Sequence, residues 1–81
     1  MYYVYILSRI NYRKSYVGCT DNIDRRLKEH NTGKMFFTKR YLPWGIIYFE
    51  EFQTLPEARK RESYYKTGAG RRELKRLFEN L

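Results

Sequence analysis

One cysteine and one histidine in 81 residues leave little material for a disulfide framework or a zinc centre. Cys19 has no partner for an internal disulfide. Together with His30 it supplies only two of the four ligands that a closed zinc site takes, so a metal held within the chain has to sit on oxygen. Long apolar runs are missing as well. The longest, YYVYIL at 2–7 and WGIIYF at 44–49, fall far short of the roughly 20 residues that cross a bilayer. The opening residues lack the charged start, apolar middle and small-residue cleavage site of a secretory signal. These absences predict a soluble, cytoplasmic protein with no membrane partner. Acid is scarce too: nine Asp and Glu stand against seventeen Lys and Arg, a formal net charge of +8. A field of that sign on a small domain collects polyanions, which makes nucleic acid the first partner to consider. The same excess also serves plain solubility, and composition does not separate the two.

What is present is aromatic. Nine Tyr, five Phe and one Trp in a chain that is 42 % hydrophobic suffice for one core. A chain this short buries only about 60–65 % of its unfolded surface, so a single domain over 1–81 is expected, with no internal repeat. YYVYILS at 2–8 has strand composition and alternation, and SYVG at 15–18 predicts a second strand joined to it by the polar RINYRK. Thr20 or Asp21 offers a cap for a helix through DNIDRRLKEH, which Gly33 closes. On that helix Ile23 and Leu27 face the core, while Arg26 and His30, also four apart, share the neighbouring flank.

Residues 34–43, KMFFTKRYLP, fit neither period and mix bases with aromatics. They predict a surface loop in which Lys34, Lys39 and Arg40 contact nucleic acid, beside Lys14 and Arg25. WGIIYFEEF predicts a third strand. Thr54 and Glu57 form a capping box for a second helix that tolerates Pro56 in its first turn and ends at Gly68 or Gly70. From about Arg71, Leu74, Leu77, Phe78 and Leu81 recur at helical spacing. The expected fold is α+β: a three-stranded antiparallel sheet flanked by helices, in the order β-β-α-β-α-α.

One residue contradicts its surroundings. At about 100° per residue, Leu55, Ala58, Glu62 and Tyr65 fall within an arc of roughly 80°, so a carboxylate interrupts the stripe that faces the sheet. A buried carboxylate costs several kcal/mol unless it is paired or metal-bound. Two explanations remain open: an ion pair with Arg59, Lys60 or Arg61, or oxygen presented to a divalent cation. The other candidates are as ambiguous singly. Arg26 reads as a solvated helix arginine, His30 as a favourable charge at a helix C-terminus, Tyr5 and Tyr16 as strand formers, and Cys19 as a small buried side chain.

Taken together, these motifs resemble the GIY-YIG endonuclease family. YVY at 3–5 stands for the first triplet and YVG at 16–18 for the second. RRLKEH supplies Arg26 and His30, and EARKRESYYK supplies Glu62. Tyr3 replaces the first glycine, and Val4 and Val17 replace isoleucines, with both tyrosines kept. The likeness spans nearly the whole chain and is nearest to small stand-alone members, where the second catalytic helix runs into a stretch like KTG. The resemblance implies a metal-dependent DNA endonuclease, structure- or damage-related and suited to DNA repair, with little sequence preference. The competing reading is a non-catalytic nucleic-acid-binding module of the same fold; a protein partner stays open. In the implied roles, Tyr5 is the general base or aligns the water, and Tyr16 joins its hydrogen-bond network. Arg26 grips the scissile phosphate, and Glu62 holds one Mg²⁺ or Mn²⁺ ion. His30 relays a proton or contacts phosphate. A phenol titrates near 10, so a neighbouring cation is expected to lower Tyr5, and Lys14 is the candidate for that task.

Overall fold

The computed structural model describes residues 1–9, 14–33 and 43–79. The predicted contacts Lys34, Lys39 and Arg40 lie outside the described residues, as does the side chain of Lys14. The elements run β1 (Tyr2–Arg9), β2 (Lys14–Thr20), α1 (Ile23–Asn31), β3 (Gly45–Phe52), α2 (Leu55–Tyr65) and α3 (Gly68–Glu79). The strands form one antiparallel sheet in the order β2-β1-β3, the α+β arrangement predicted from sequence. Among the described residues no helix is long and apolar enough to cross a membrane.

β1 lies in the middle, and every side chain from Val4 to Leu7 is buried. Its two faces feed separate cores. Val4 and Ile6 pack with Ala58 and Tyr65 of α2 and Leu74 of α3. Tyr5 and Leu7 pack with Trp44, and at the margin with Tyr16 of β2 and Leu27 of α1. A strand covered on both sides reads as a continuous apolar run, which is why the segment shows less polar alternation than a half-exposed strand. A bulge adjusts the third strand to this sandwich. Ile6 pairs with Tyr48 but Leu7 with Ile46, leaving Ile47 as the extra residue. Ile46 therefore joins the Trp44 layer while Ile47 joins the α2 layer.

Helix ends follow capping chemistry, with two departures from expectation. Asn22, and neither Thr20 nor Asp21, caps α1 by accepting the Arg25 N–H at 3.0 Å. Thr20 is buried and accepts the Asn22 N–H at 3.1 Å instead, shaping the turn that leads into the helix. Gly33, at φ 80°, closes α1 as expected. The Thr54–Glu57 box is present, with the hydroxyl accepting the Glu57 N–H and donating to its carboxylate at 2.8 Å. Gly68 and Gly70 do not end α2; both lie inside α3, and Lys66 is the C-cap. Gly70 is buried against the last turn of α2, where an added Cβ would collide with the Tyr64 carbonyl and Tyr65 Cα. Thr67 makes the corner, donating to the Tyr64 carbonyl at 2.6 Å and accepting the Gly70 N–H at 3.1 Å.

Polar ties lock each layer. Arg61 of α2 donates to Glu50 of β3 at 2.8 Å and to Glu73 of α3 at 3.0 Å, and its guanidinium lies over the Tyr64 and Tyr65 rings. Burial pushes the Glu50 carboxyl up, but hydrogen bonds from Arg61, Tyr48 and Tyr65 outweigh it and hold the group below the usual carboxylate range. On the opposite face, the Asn31 side chain pairs with the Trp44 backbone in both directions, accepting its N–H at 2.6 Å and donating to its carbonyl at 3.0 Å. That amide clasp fastens the approach to β3 onto the end of α1. Asn31→Ala leaves both Trp44 groups without their partner and should cost about 2 kcal/mol. The loss would appear as a lower urea midpoint at unchanged m-value; an unshifted midpoint would show that the clasp holds nothing.

Candidate active site

The site begins with a missing side chain. Tyr5 of β1 sits opposite Gly18 of β2, and a Cβ built at Gly18 would overlap the hydroxyl end of the Tyr5 ring. Because position 18 is bare, the Tyr5 ring can lie across the neighbouring strand. Its hydroxyl then reaches the buried imidazole of His30, with Oη 2.9 Å from Nε2. Tyr16 completes an aromatic group, its ring centroid 4.9 Å from that of His30 and 6.3 Å from that of Tyr5.

A cleft of about 280 Å³ opens beside this group. Tyr5, Tyr16 and Gly18 line it from the sheet, Arg26 from α1, and Arg59 and Glu62 from α2. Four of the five residues predicted to be catalytic thus face one space: Tyr5, Tyr16, Arg26 and Glu62. The fifth, His30, does not share the surface of Arg26 as the helical spacing suggested. It is fully buried behind Tyr5, which rules out direct contact with a phosphate in the cleft. Helical periodicity placed the two side chains on one flank but could not tell that Tyr16 and Tyr5 would close over the second.

Electrostatics correct a further expectation. No cation brings Tyr5 below its ordinary value. Burial, and then Tyr16, push its phenol well above the ordinary value, with Arg26 opposing and Glu62 adding to the rise. Lys14 pairs through its backbone with Arg9, four residues along β1 from Tyr5. His30 moves in the opposite direction: burial, and then Arg26, hold its imidazole below the usual histidine range, against Glu29. Both partners of the Tyr5–His30 contact are therefore uncharged near neutrality.

Glu62 is on the inner stripe of α2, with its side chain 23 % exposed. Its ion pair is with Lys66, one turn on, at 3.3 Å, and not with Arg61, which is occupied by Glu50 and Glu73. Arg26 approaches Glu29 at 3.8 Å, a loose contact for a side chain 28 % exposed. Arg25, predicted to bind nucleic acid, is turned outward into ion pairs with Asp21 and Glu29 at 2.6 and 3.4 Å and does not line the cleft. Arg59 lines the cleft although sequence reasoning treated it only as a possible partner for Glu62. Its position one turn before Glu62 was the available signal.

Among the described residues no group of three or more His, Cys, Asp or Glu could cage a metal ion. The cleft has one carboxylate with phenol oxygens on the facing wall. That donor set suits a single hard cation that keeps most of its water and shares the oxygens of a bound phosphate, and it is too small for two metals.

Strand order β2-β1-β3, helices on both faces and a cleft beside the edge strand β2 define the architecture that carries the site. The chain belongs to the GIY-YIG family, whose catalytic-domain model matches residues 1–75. It is 40 % identical over 67 residues to a UPF0213 protein of Clostridium perfringens, covering 82 % of this chain and 71 % of that one. To a UPF0213 protein of Staphylococcus haemolyticus it is 35 % identical over 79 residues, covering 96 % and 95 %. The solution NMR structure of a UPF0213 protein from Bacillus halodurans is similar at a TM-score of 0.54 and 31 % identity, over 95 % of this chain and 85 % of that one. The membership makes this a nuclease-family protein with nucleic acid as the implied substrate.

The buried imidazole also sets a pH dependence of stability. In the unfolded chain histidine titrates near 6.5, and the folded value lies lower. Stability that depends on neutral His30 is complete above about 6.5 and is lost as pH falls below it toward the folded value. Acidification from about pH 7.5 to about 5.5 should therefore lower the denaturation midpoint of the wild type more than that of His30→Gln, followed by circular dichroism. Equal drops would show that the imidazole charges freely in the folded protein.

Proposed function

We propose that the protein is a metal-dependent endonuclease that hydrolyses phosphodiester bonds in DNA, structure- or damage-directed and with little sequence preference. The observation that carries the reading is the meeting of Tyr5, Tyr16, Arg26 and Glu62 around one cleft, although they come from two strands and two helices. A non-catalytic binding module would need the positive charge but not two phenols and a half-buried carboxylate.

In the proposed chemistry Arg26 holds the non-bridging oxygens of the scissile phosphate through its planar donor fork, which lysine cannot reproduce. Tyr5 cannot wait as a phenolate, since burial opposes its ionisation. It acts as a relay instead: its hydroxyl takes a proton from the attacking water while passing its own to Nε2 of neutral His30. Tyr16 confines that hydroxyl from the neighbouring strand. The water oxygen bonds to phosphorus as the bond to the 3′ oxygen breaks, and the leaving oxygen takes up a proton from solvent in the open cleft. Glu62 would hold the Mg²⁺ or Mn²⁺ ion, which when bound supplies charge to the phosphate and the leaving oxygen. Phenol, guanidinium and carboxylate address the backbone and not base edges, so sequence preference should be weak.

The purified protein should nick members of a panel of labelled DNA and RNA structures with Mg²⁺ or Mn²⁺ and fail to do so with chelator. Arg26→Ala and Glu62→Gln should each reduce cleavage by about 10²-fold or more while the fold and most of the affinity remain. Undiminished cleavage by either variant would refute the assigned site.

A further inference from the structure

The nuclease chemistry leaves one cleft cation unused. Arg59 lines the same space as Arg26 but from the opposite wall, on α2, one turn before Glu62. The other arginines of α1 and α2 all have acids beside them: Arg25 has Asp21 and Glu29, Arg26 has Glu29, and Arg61 has Glu50 and Glu73. Arg59 has no carboxylate within ion-pair distance among the described residues, and its neighbour Glu62 pairs with Lys66. Its charge is nonetheless felt inside the cleft. Burial and then Glu62 push the Cys19 thiol up, and Arg59 opposes them ahead of Arg26.

We infer that Arg59 forms a second phosphate subsite, binding a phosphate of the cleaved strand that neighbours the one held by Arg26. The inference rests on the nuclease reading and extends it: the strand is gripped from both walls, with α1 supplying the scissile contact and α2 the flanking one. A planar guanidinium without a protein acid can give its whole donor fork to an incoming anion, with no ion pair to break first. Such a contact releases counterions on binding, so it shows in the salt dependence of affinity as well as in its magnitude. An ordinary solvated arginine on a basic surface would act no differently from the exposed Lys60 beside it, which does not line the cleft.

The test is fluorescence anisotropy of a labelled oligonucleotide in chelator, over roughly 50–200 mM salt, so that affinity is read without turnover. Arg59→Ala should weaken binding about tenfold at low salt and make the log–log salt slope shallower by about one. Lys60→Ala should change both far less, and Arg59→Lys should recover the slope but only part of the affinity. Equal losses in Arg59→Ala and Lys60→Ala, or no loss in Arg59→Ala, would overturn the subsite while leaving the nuclease reading intact. No binding by the wild type would instead sink the nuclease reading itself.

Discussion

The contact between the Tyr5 hydroxyl and His30 across the bare position of Gly18 organises the molecule. Tyr5 belongs to the central strand, whose side chains are otherwise consumed by the two cores. Only where the neighbouring strand lacks a Cβ can such a ring lie flat enough to deliver its oxygen to the sheet's edge. The glycine of YVG is therefore required by the tyrosine of YVY, on the preceding strand in sequence and directly opposite in register. His30 then fixes the hydroxyl from beneath, and the position of α1 follows, because a fully buried imidazole must end where Tyr5 and Tyr16 meet.

Charge is distributed with a similar economy. The protein carries eight more bases than acids, yet the acids it has are spent mainly on architecture. Glu50 and Glu73 hold Arg61 and thereby bind β3, α2 and α3 together. Asp21 and Glu29 steady the surface of α1, where exposed pairs contribute little to stability. Glu62 is placed differently. It sits on the wall of the cleft, and its partner Lys66 is a mostly exposed side chain that can be displaced at small cost.

Much of this was legible in the sequence, and the limits have physical causes. Strand composition, the Thr54 capping box and Gly33 located the elements, because capping and turn chemistry are local. The misplaced carboxylate in the stripe of α2 marks Glu62 as a candidate from sequence alone, and the residue does line the cleft. Errors arose where one position serves a distant one. Gly70 reads as a helix terminator, yet its bareness lets α3 cross the last turn of α2. His30 reads as a surface charge from its helix alone, and only the register that brings Tyr5 and Tyr16 over it makes it a core residue. The direction of the Tyr5 shift is hidden for the same reason. The sequence displays nearby cations but not the burial that outweighs them.

The cleft's placement explains how residues from opposite faces of a sheet can act together. Tyr5 and Arg26 belong to the α1 side, while Glu62 and Arg59 reach in from α2, which covers the other face. They can meet only around an edge strand, and β2 is one. That geometry bears on the proton chemistry proposed for the site. Arg26 is the charge that favours ionisation of Tyr5, and Glu62 disfavours it. A phosphate arriving alone would cancel the first influence and leave the second, making the phenol still less able to exchange its proton. A divalent cation held at Glu62 would reverse the sign of the second influence as the phosphate cancels the first. In the proposed chemistry a metal ion at Glu62 would therefore serve the relay at Tyr5 as well as the leaving oxygen, and would give a reason for a carboxylate where the stripe of α2 calls for a hydrophobe.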